Sequence, residues 1–306
     1  MKDDFEIYLF SYNRGIFLEN CLDSLSICAD GIGVSVIDDD SDETHTCDVL
    51  ENYRSKFRSL KPAKSDSKNA KLGGLYSNML KAFDDGLKRG KKYAIFIQDD
   101  MQFVRNVEED DLAVIETYFN KNTDSAQLQS CFFKKLEAEI DRKFIEKDDE
   151  LPVYLRNLNH PICSSYSDVG IFYIERFYSL FSNLEPTEKG TDNVGRERGI
   201  RLGQMVNPFM MWLPYPKSYR HGGRTFRNFM IETIASCDFY PYHYLTDEEV
   251  QNLKNRPKLN LPLAEDWLQS AQLKNTKYWS FSGGVINLFA RGGLREKIAR
   301  ILWKLS

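Results

Sequence analysis

The chain has 306 residues, of which 42% are hydrophobic and 28% are charged, and its formal net charge is −4. This composition predicts a soluble globular protein of one large or two modest domains, and the acidic balance argues against a general nucleic-acid binder. No stretch approaches the roughly 20 apolar residues of a membrane-spanning helix, and neither a CxxC pair nor a secretory signal is found, so we expect the reducing cytoplasm.

The first hundred residues alternate between strand and helix signals, as parallel α/β sheets do. Apolar runs predict strands at Phe5–Ser11, Gly33–Ile37 and Tyr93–Ile97. Apolar residues at helical spacing predict helices at Gly15–Ile27, from about Thr44 to about Phe57, and at Leu72–Gly90.

Each predicted strand ends in a polar cluster: residues 11–14, residues 38–42 and residues 98–100. If the strands are parallel, these clusters meet along one edge of the sheet, where open α/β sheets hold their ligands. Asp99 and Asp100 are adjacent carboxylates that repel each other, and a cation offsets such repulsion. The plainer alternative is an acidic turn after a strand.

The pattern beyond Asn106 is less regular. It predicts a helix at Asp110–Phe119, strands at Gln129–Lys134 and Gly170–Ile174, and a further apolar run at Gln204–Leu213. Residues 185–201 are rich in Gly, Asp and Arg, and we expect a mobile loop near the site there.

Four segments in order carry a family resemblance: SYNRGIFLENCLDSL, VIDDDSDET, NAKLGGLYSNMLKAF and YAIFIQDDMQF. Together they resemble the GT-A glycosyltransferases, especially the large inverting family that builds bacterial polysaccharides. The resemblance covers residues 5–105 well and residues 165–205 loosely. It implies a Rossmann-like, mixed and mainly parallel sheet flanked by helices. We predict a nucleotide-sugar-binding half (1–106), an acceptor-binding half (107–245) and a C-terminal helical extension (246–306).

The resemblance also implies a donor site that contains Mn²⁺ or Mg²⁺. Asp100 stands where the family coordinates the metal, and Asp99 is predicted to contact the ribose or to support the ligand. Gln98 departs from the common motif, which has an acid at that position. Asp39 matches the carboxylate that binds the pyrimidine ring N–H, and the loop that frames the base is matched by Ser11, Tyr12, Asn13 and Arg14.

Some of these residues also have plainer interpretations. Gly74 could let the backbone approach the nucleotide, and Asn78 occupies a donor-site position of the family. Residues 38–40 could equally form a helix-capping acidic loop, Arg14 a surface residue, and the glycines before Leu75 a helix entry.

An inverting transferase needs a general base that deprotonates the acceptor hydroxyl. In GTDNVGRERGIRLGQ the family register selects Asp192, although Thr191 precedes it where an acid is usual. Glu188 and Glu197 therefore remain candidates.

Positive groups are wanted near the departing diphosphate, and SYRHGGRTFRN supplies Arg220 and Arg224, with His221 as a candidate metal ligand. The last sixteen residues contain five basic side chains and one acidic side chain. From Leu294 they form a basic amphipathic pattern, which predicts peripheral contact with the inner face of the cytoplasmic membrane. The alternative is a helix that docks on the protein body or on a second subunit.

The predicted function is a metal-dependent inverting glycosyltransferase of hexosyltransferase type. It moves a sugar from a nucleotide sugar, with a UDP-sugar favoured, to a lipid-linked or surface-glycan acceptor such as capsule or lipopolysaccharide. The rivals are a catalytically silent nucleotide- or glycan-binding module and a nucleotidyltransferase.

Overall fold

A computed structural model describes residues 1–63, 74–135, 137–166, 168–185, 187–213, 226 and 241–270. Within them a nine-stranded sheet runs in the order β3-β2-β1-β4-β9-β6-β10-β8-β7, and β11 pairs with β5 separately. The strands are β1 Phe5–Ser11, β2 Gly33–Asp38, β3 Arg58–Ser59, β4 Tyr93–Gln98, β5 Met101–Phe103, β6 Gln127–Gln129, β7 Ile145–Lys147, β8 Val153–Arg156, β9 Gly170–Tyr173, β10 Gly203–Met205 and β11 Met210–Trp212.

Nine α-helices accompany the sheet in the described ranges. They are α1 Gly15–Cys28, α2 Thr44–Asn52, α3 Leu75–Lys88, α4 Glu109–Lys121, α5 Ala138–Phe144, α6 Ile174–Phe181, α7 Glu188–Glu197, α8 Asp247–Asn255 and α9 Ala264–Trp267. A short 3₁₀ turn, Lys2–Asp4, precedes β1. The predicted α/β class with a mixed sheet is confirmed.

The first four strands form a continuous parallel part of the sheet. β1 lies between β2 and β4, and β2 continues to β3, all parallel. β9 then pairs antiparallel with β4 and with β6, so the sheet changes direction beside β4. The switch places the end of β4 next to loops from the second half of the chain.

Each face of the sheet is covered by its own apolar cluster, because successive side chains of a strand point to opposite faces. On one face Ile7 and Leu9 of β1 pack with Phe17 and Leu22 of α1. On the other face Tyr8 packs in the cluster that includes residues of α3 and α6. The predicted helical stripe of α1 is confirmed by burial of Phe17, Leu18, Cys21, Leu22 and Leu25.

The predicted strands of the first hundred residues are confirmed, with β2 and β4 each one residue longer than expected. The helix after β2 ends at Asn52 instead of about Phe57. Gly90 follows α3 with φ +68°, a left-handed conformation that glycine adopts without strain, so the predicted stop is confirmed.

Three predictions in the second half are wrong in part. Residues 129–134 form no continuous strand, because β6 ends at Gln129 and only isolated bridges at Cys131 and Phe133 follow. The run at 204–213 is divided between β10 and β11. The expected loop at 185–201 contains α7, which the Thr187 side chain caps by accepting a hydrogen bond from the Gly190 N–H at 3.0 Å.

Across the described ranges, the helices are all too short or too polar to span a bilayer. The described cysteines are free thiols.

Candidate active site

The carboxyl ends of β1, β2 and β4 lie side by side, as the sequence predicts. Ser11 pairs with Asp38 across β1 and β2, and Phe10 pairs with Gln98 across β1 and β4. The ladder continues one step past β4, since the Asp99 N–H donates to the Phe10 carbonyl at 3.1 Å. The polar clusters that follow the three strands therefore share one edge of the sheet.

Arg14 contacts both adjacent carboxylates at this edge. It is the N-cap residue of α1, and its Nη1 donates to Asp100 Oδ2 at 3.0 Å while Nη2 contacts Asp99 Oδ1. The Asp99 side chain is fully buried, and 20% of the Arg14 side chain is exposed. Arg14 is thus an internal counter-ion of the acidic pair, which is not the surface residue of the plainer interpretation.

Burial dominates the electrostatics of Asp99. It raises the pKa of the Asp99 carboxyl to about 7, against the opposing effect of the Arg14 guanidinium; the negative charge of Asp100 adds to the rise. The Tyr12 N–H also donates to Asp99 Oδ2, at 3.3 Å. A carboxylate with this pKa exchanges its proton near neutral pH, so a cation that binds there competes with a proton.

Asp39 is held by the two residues that the sequence assigned to the donor site. Its Oδ2 accepts a hydrogen bond from the Gly74 N–H at 2.9 Å, and its Oδ1 accepts one from Asn78 Nδ2 at 3.1 Å. A Cβ atom at Gly74 would lie 2.5 Å from Asp39 Oδ1, so a side chain there would push the carboxylate away. Gly74 and Asn78 therefore position Asp39, and glycine is needed for close packing.

Asn13 joins the loop after β1 to the loop after β2. Its Oδ1 accepts from the Asp42 N–H at 2.8 Å and from the Glu43 N–H at 2.9 Å, and its own N–H donates to Ser41 Oγ at 2.9 Å. Its φ is +48°, which asparagine tolerates better than most residues. Asp38 also holds Ser41, through Oδ1 and Oδ2 at 2.6 and 2.8 Å, so Asp38 organises the loop.

Ser11 and Tyr12 differ in exposure. Ser11 is 4% exposed, and its Oγ has no hydrogen-bond partner within the described part of the chain. Tyr12 is 39% exposed and stands at the open side of the site.

A second pair of carboxyl groups lies beside this cluster, and sequence reasoning missed one member. Gln98 Nε2 donates to Asp168 Oδ2 at 3.1 Å, and the carboxyl groups of Asp168 and Glu188 are close enough to share a hydrogen bond when one is protonated. Burial, the contact with Glu188 and the charge of Asp100 raise the pKa of Asp168 well above its usual range. Asp168 therefore binds a proton more readily than an ordinary carboxyl group does.

Asp192, the other predicted base, is buried in a different setting. Its Oδ1 accepts hydrogen bonds from three successive backbone N–H groups at 2.8 to 3.1 Å, and its Oδ2 lies 3.3 Å from Arg196 Nη2. The donors are those of residues 163, 164 and 165. Only 3% of Asp192 is exposed. These contacts use both oxygens to hold a loop, whereas Glu188 is partly exposed at the carboxylate cluster.

Several predicted residues fall outside the described ranges: Arg220, His221 and Arg224, and the basic tail from residue 291 onward. Among the residues that are described, no three His, Cys, Asp or Glu side chains converge in a way that could hold a metal. A metal at Asp100 would thus rely on few protein ligands, with remaining positions taken by phosphate oxygens and water. The acidic pair fits such a site, because the carboxylates of Asp99 and Asp100 share the guanidinium of Arg14.

No protein-family model matches the chain, and neither does any curated protein. Solved structures do resemble it. Staphylococcus aureus TarS matches at 14% identity and TM-score 0.46, over 82% of this chain and 42% of TarS. A TarS fragment, residues 1–349, matches at 13% identity and TM-score 0.46, over 81% of this chain and 68% of the fragment.

The mannosyltransferase PcManGT from Pyrobaculum calidifontis, in complex with GDP-Man and Mn²⁺, matches at 9% identity and TM-score 0.44, over 99% of this chain and 74% of that one. These structures are of glycosyltransferases. Such identities and TM-scores concern overall fold and assign no donor, acceptor or activity to this chain.

Proposed function

We propose that the protein is a metal-dependent inverting glycosyltransferase that uses a nucleotide sugar, with a UDP-sugar favoured, and transfers the sugar to a lipid-linked or surface-glycan acceptor. The observation that carries the proposal is the grouping of Asp99, Asp100 and Arg14 at the end of β4, with Asp39 and the Asp168–Glu188 pair around it. This grouping supplies what sugar transfer needs: a place for a diphosphate, a contact for the base and a proton acceptor.

Donor binding would use the edge formed by β1 and β2. Asp39 would accept a hydrogen bond from the N–H of the pyrimidine ring, and Gly74 and Asn78 hold its carboxylate for that contact. The loop of residues 11–14 would frame the base and the ribose. Its attachment through Asn13 to the loop after β2 gives the donor a preformed wall, which lowers the ordering cost of binding.

Asp100, supported by Asp99, would hold Mn²⁺ or Mg²⁺, because hard carboxylate oxygens suit these ions. A divalent ion bound there offsets the charge that develops on the leaving diphosphate. Asp100 would exchange its contact with Arg14 for the ion, and Arg14 would remain as a positive group facing the phosphates.

Glu188 is our first choice for the general base, and Asp192 is the alternative. The Glu188 carboxylate would take the proton from the acceptor hydroxyl while the hydroxyl oxygen attacks the anomeric carbon and the bond to the diphosphate breaks. Asp168, whose pKa is raised by burial, would orient Glu188 by donating a hydrogen bond to it when protonated. Asp192 is less suited, since its oxygens already accept three backbone hydrogen bonds and face Arg196.

The tail and the acceptor follow from the same proposal. A basic amphipathic helix after Leu294 would bring the enzyme to the inner face of the cytoplasmic membrane, where lipid-linked glycans are assembled. Removing residues 291–306 tests this, since unchanged sedimentation with anionic liposomes contradicts membrane contact.

A thermal-shift titration with UDP, with and without Mn²⁺, tests the donor site. We expect UDP and Mn²⁺ together to raise the melting temperature more than either alone. Asp100→Asn removes this joint effect, and Asp110→Asn, an exposed control on α4, keeps it. Absence of UDP binding in the presence of Mn²⁺ contradicts the proposal.

Donor hydrolysis separates the proposal from its rivals. A glycosyltransferase slowly hydrolyses its nucleotide sugar and releases UDP, so release that depends on Mn²⁺ supports an enzyme. UDP binding without any turnover supports the catalytically silent module, and release of pyrophosphate from a nucleoside triphosphate supports the nucleotidyltransferase.

A further inference from the structure

A cleft that opens in part to solvent lies on the second half of the chain. The lining residues that matter here are Gln129, Cys131, Lys134, Arg156, Tyr166 and Trp212. None of them belongs to the predicted donor site.

The cleft adjoins the carboxylate cluster. Trp212 pairs with Met101, the residue after Asp100, and the N–H of the next residue, Leu213, donates to the Asp100 carbonyl at 2.8 Å. Gln129 Nε2 donates at 2.8 Å to the carbonyl of Val169, which follows Asp168. The cleft is therefore lined by residues of segments that contact the backbone at Asp100 and next to Asp168.

Arg156 is buried at this cleft, and the described part of the chain provides no counter-ion for it. It is 9% exposed, its Nη1 donates to the Ile162 carbonyl at 3.0 Å, and its Nη2 donates to Gln204 Oε1 at 3.2 Å. Within the described ranges its Nε–H has no partner, and its guanidinium makes no ion pair with a carboxylate. An unpaired buried charge is costly, so this arrangement favours an anion that arrives from outside.

The other polar groups of the cleft are consistent with a site for an anion. Glu137 lies 3.9 Å from Lys134, and Asp141 is bound to His160 at 2.9 Å, so the two acids of the lining have positive or hydrogen-bonding partners of their own. Gln129 Oε1 is buried and, like Arg156 Nε, lacks a partner among the described residues. It offers one acceptor for a hydroxyl group.

An aromatic wall completes the cleft. The rings of Tyr166 and Trp212 are 5.4 Å apart, and Lys134 Nζ lies 5.1 Å from the Trp212 ring centroid. Aromatic faces pack against the C–H faces of sugar rings, and the Lys134 ammonium lies over one of these rings, that of Trp212. The wall and the two basic groups together suit a sugar that carries a negative charge.

We propose that this cleft is the acceptor subsite and that it selects an anionic glycosyl unit, whose carboxylate or phosphate binds Arg156 Nε–H and Lys134. The role of the cleft as an acceptor subsite rests on the proposed function, in which Glu188 would face the acceptor hydroxyl. The preference for an anionic sugar itself depends only on the residues of the cleft.

The test uses the full chain without nucleotide and measures tryptophan fluorescence during titration with D-glucuronate, glucose 6-phosphate and uncharged glucose. We expect at least one charged sugar to bind at least about tenfold more tightly than glucose, the ratio that 1.4 kcal/mol represents. Tighter binding of glucuronate alone identifies a carboxylate ligand, and tighter binding of glucose 6-phosphate alone identifies a phosphate ligand.

Two variants and a matched control locate the effect. Arg156→Gln and Lys134→Gln are each expected to reduce the preference for the charged sugar, Arg156→Gln by at least about tenfold. Lys135→Gln removes a neighbouring lysine that is 64% exposed and outside the cleft, and it leaves the preference unchanged. If Arg156→Gln unfolds, as circular dichroism would show, Lys134→Gln decides.

The inference is wrong if glucose binds as tightly as both charged sugars, or if the charged-sugar preference survives both cleft substitutions. Its failure can be told from that of the proposed function. A preserved anionic preference in a protein that fails to bind UDP with Mn²⁺ refutes the transferase and keeps the anion site, whereas UDP binding without the preference refutes only the anion site.

Discussion

The substitutions Asp192→Asn and Glu188→Gln distinguish a carboxylate that holds a loop from the carboxylate that we propose as the general base. Each exchanges a carboxylate for an amide of nearly equal shape, and the two residues lie one turn apart on α7. The contacts of the two side chains predict opposite phenotypes.

The magnitude for Asp192 follows from its hydrogen bonds. Oδ1 accepts three backbone N–H groups, and a hydrogen bond to a charged group contributes about 1.5–3 kcal/mol. An amide oxygen still accepts but carries no full charge, so we expect Asp192→Asn to lower the free energy of unfolding by about 2–4 kcal/mol. Because the three N–H groups belong to one loop, their contributions do not add fully.

For Glu188→Gln we expect the main effect on the rate of transfer and not on the free energy of unfolding. Its side chain is partly exposed and caps no backbone N–H, since Thr187 performs that task. Glu188→Gln is therefore expected to change the free energy of unfolding by less than about 0.5 kcal/mol. Loss of a general base lowers kcat by about 10² to 10⁴.

Urea unfolding and steady-state transfer kinetics, measured on the same preparations, give both quantities. Thr191→Val serves as a stability control on the same helix. It removes the hydroxyl that accepts a hydrogen bond from the Glu185 N–H at 3.0 Å, and it leaves both carboxylates in place. A stable Asp192→Asn protein that has lost transfer, together with a Glu188→Gln protein of wild-type kcat, would refute the assignment of the base.

Three further predictions concern substitutions at Asp168, Gly74 and Arg105. Burial and Glu188 raise the pKa of Asp168, so its contribution to stability is fully present below the ordinary carboxyl pKa and is lost as pH rises through the raised pKa; Asp168→Asn should flatten this decline of the unfolding free energy with rising pH in urea unfolding. Gly74→Ala should weaken UDP binding about tenfold in calorimetry, because its Cβ would displace Asp39, and unchanged affinity would contradict that. Arg105→Met should cost about 3–5 kcal/mol of unfolding free energy, since it leaves Asp111 buried without its partner at 2.7 Å.

The sequence predicts the first half of the fold because the signals there are local. Tyr93–Gln98 is an unbroken apolar strand that ends in acids, and such a run has few alternative structures. Parallel pairing then brings three strand ends together. The location of Asp39 and Asp99 at the same edge of the sheet can therefore be predicted without any knowledge of side-chain contacts.

The features that the sequence does not predict depend on contacts between residues far apart in the chain. Residues 185–201 are polar and glycine-containing, which suggests a loop, yet α7 is stabilised by the Thr187 cap and by burial of Thr191 and Asp192. The contact of Gln98 with Asp168 spans 70 residues, and no local pattern reveals it. The one available signal was Gln98 itself, a neutral residue where an acid was expected and hence a place where another carboxylate could approach.

The Asn13 carboxamide limits changes of length in the two loops that it joins, those after β1 and β2. Lengthening either of the two loops that it fastens would break at least one of its bonds to residues 42 and 43 and release both segments at once. Exchanges of side chains on a backbone of constant length leave this connection intact, so these two loops should tolerate substitutions better than insertions.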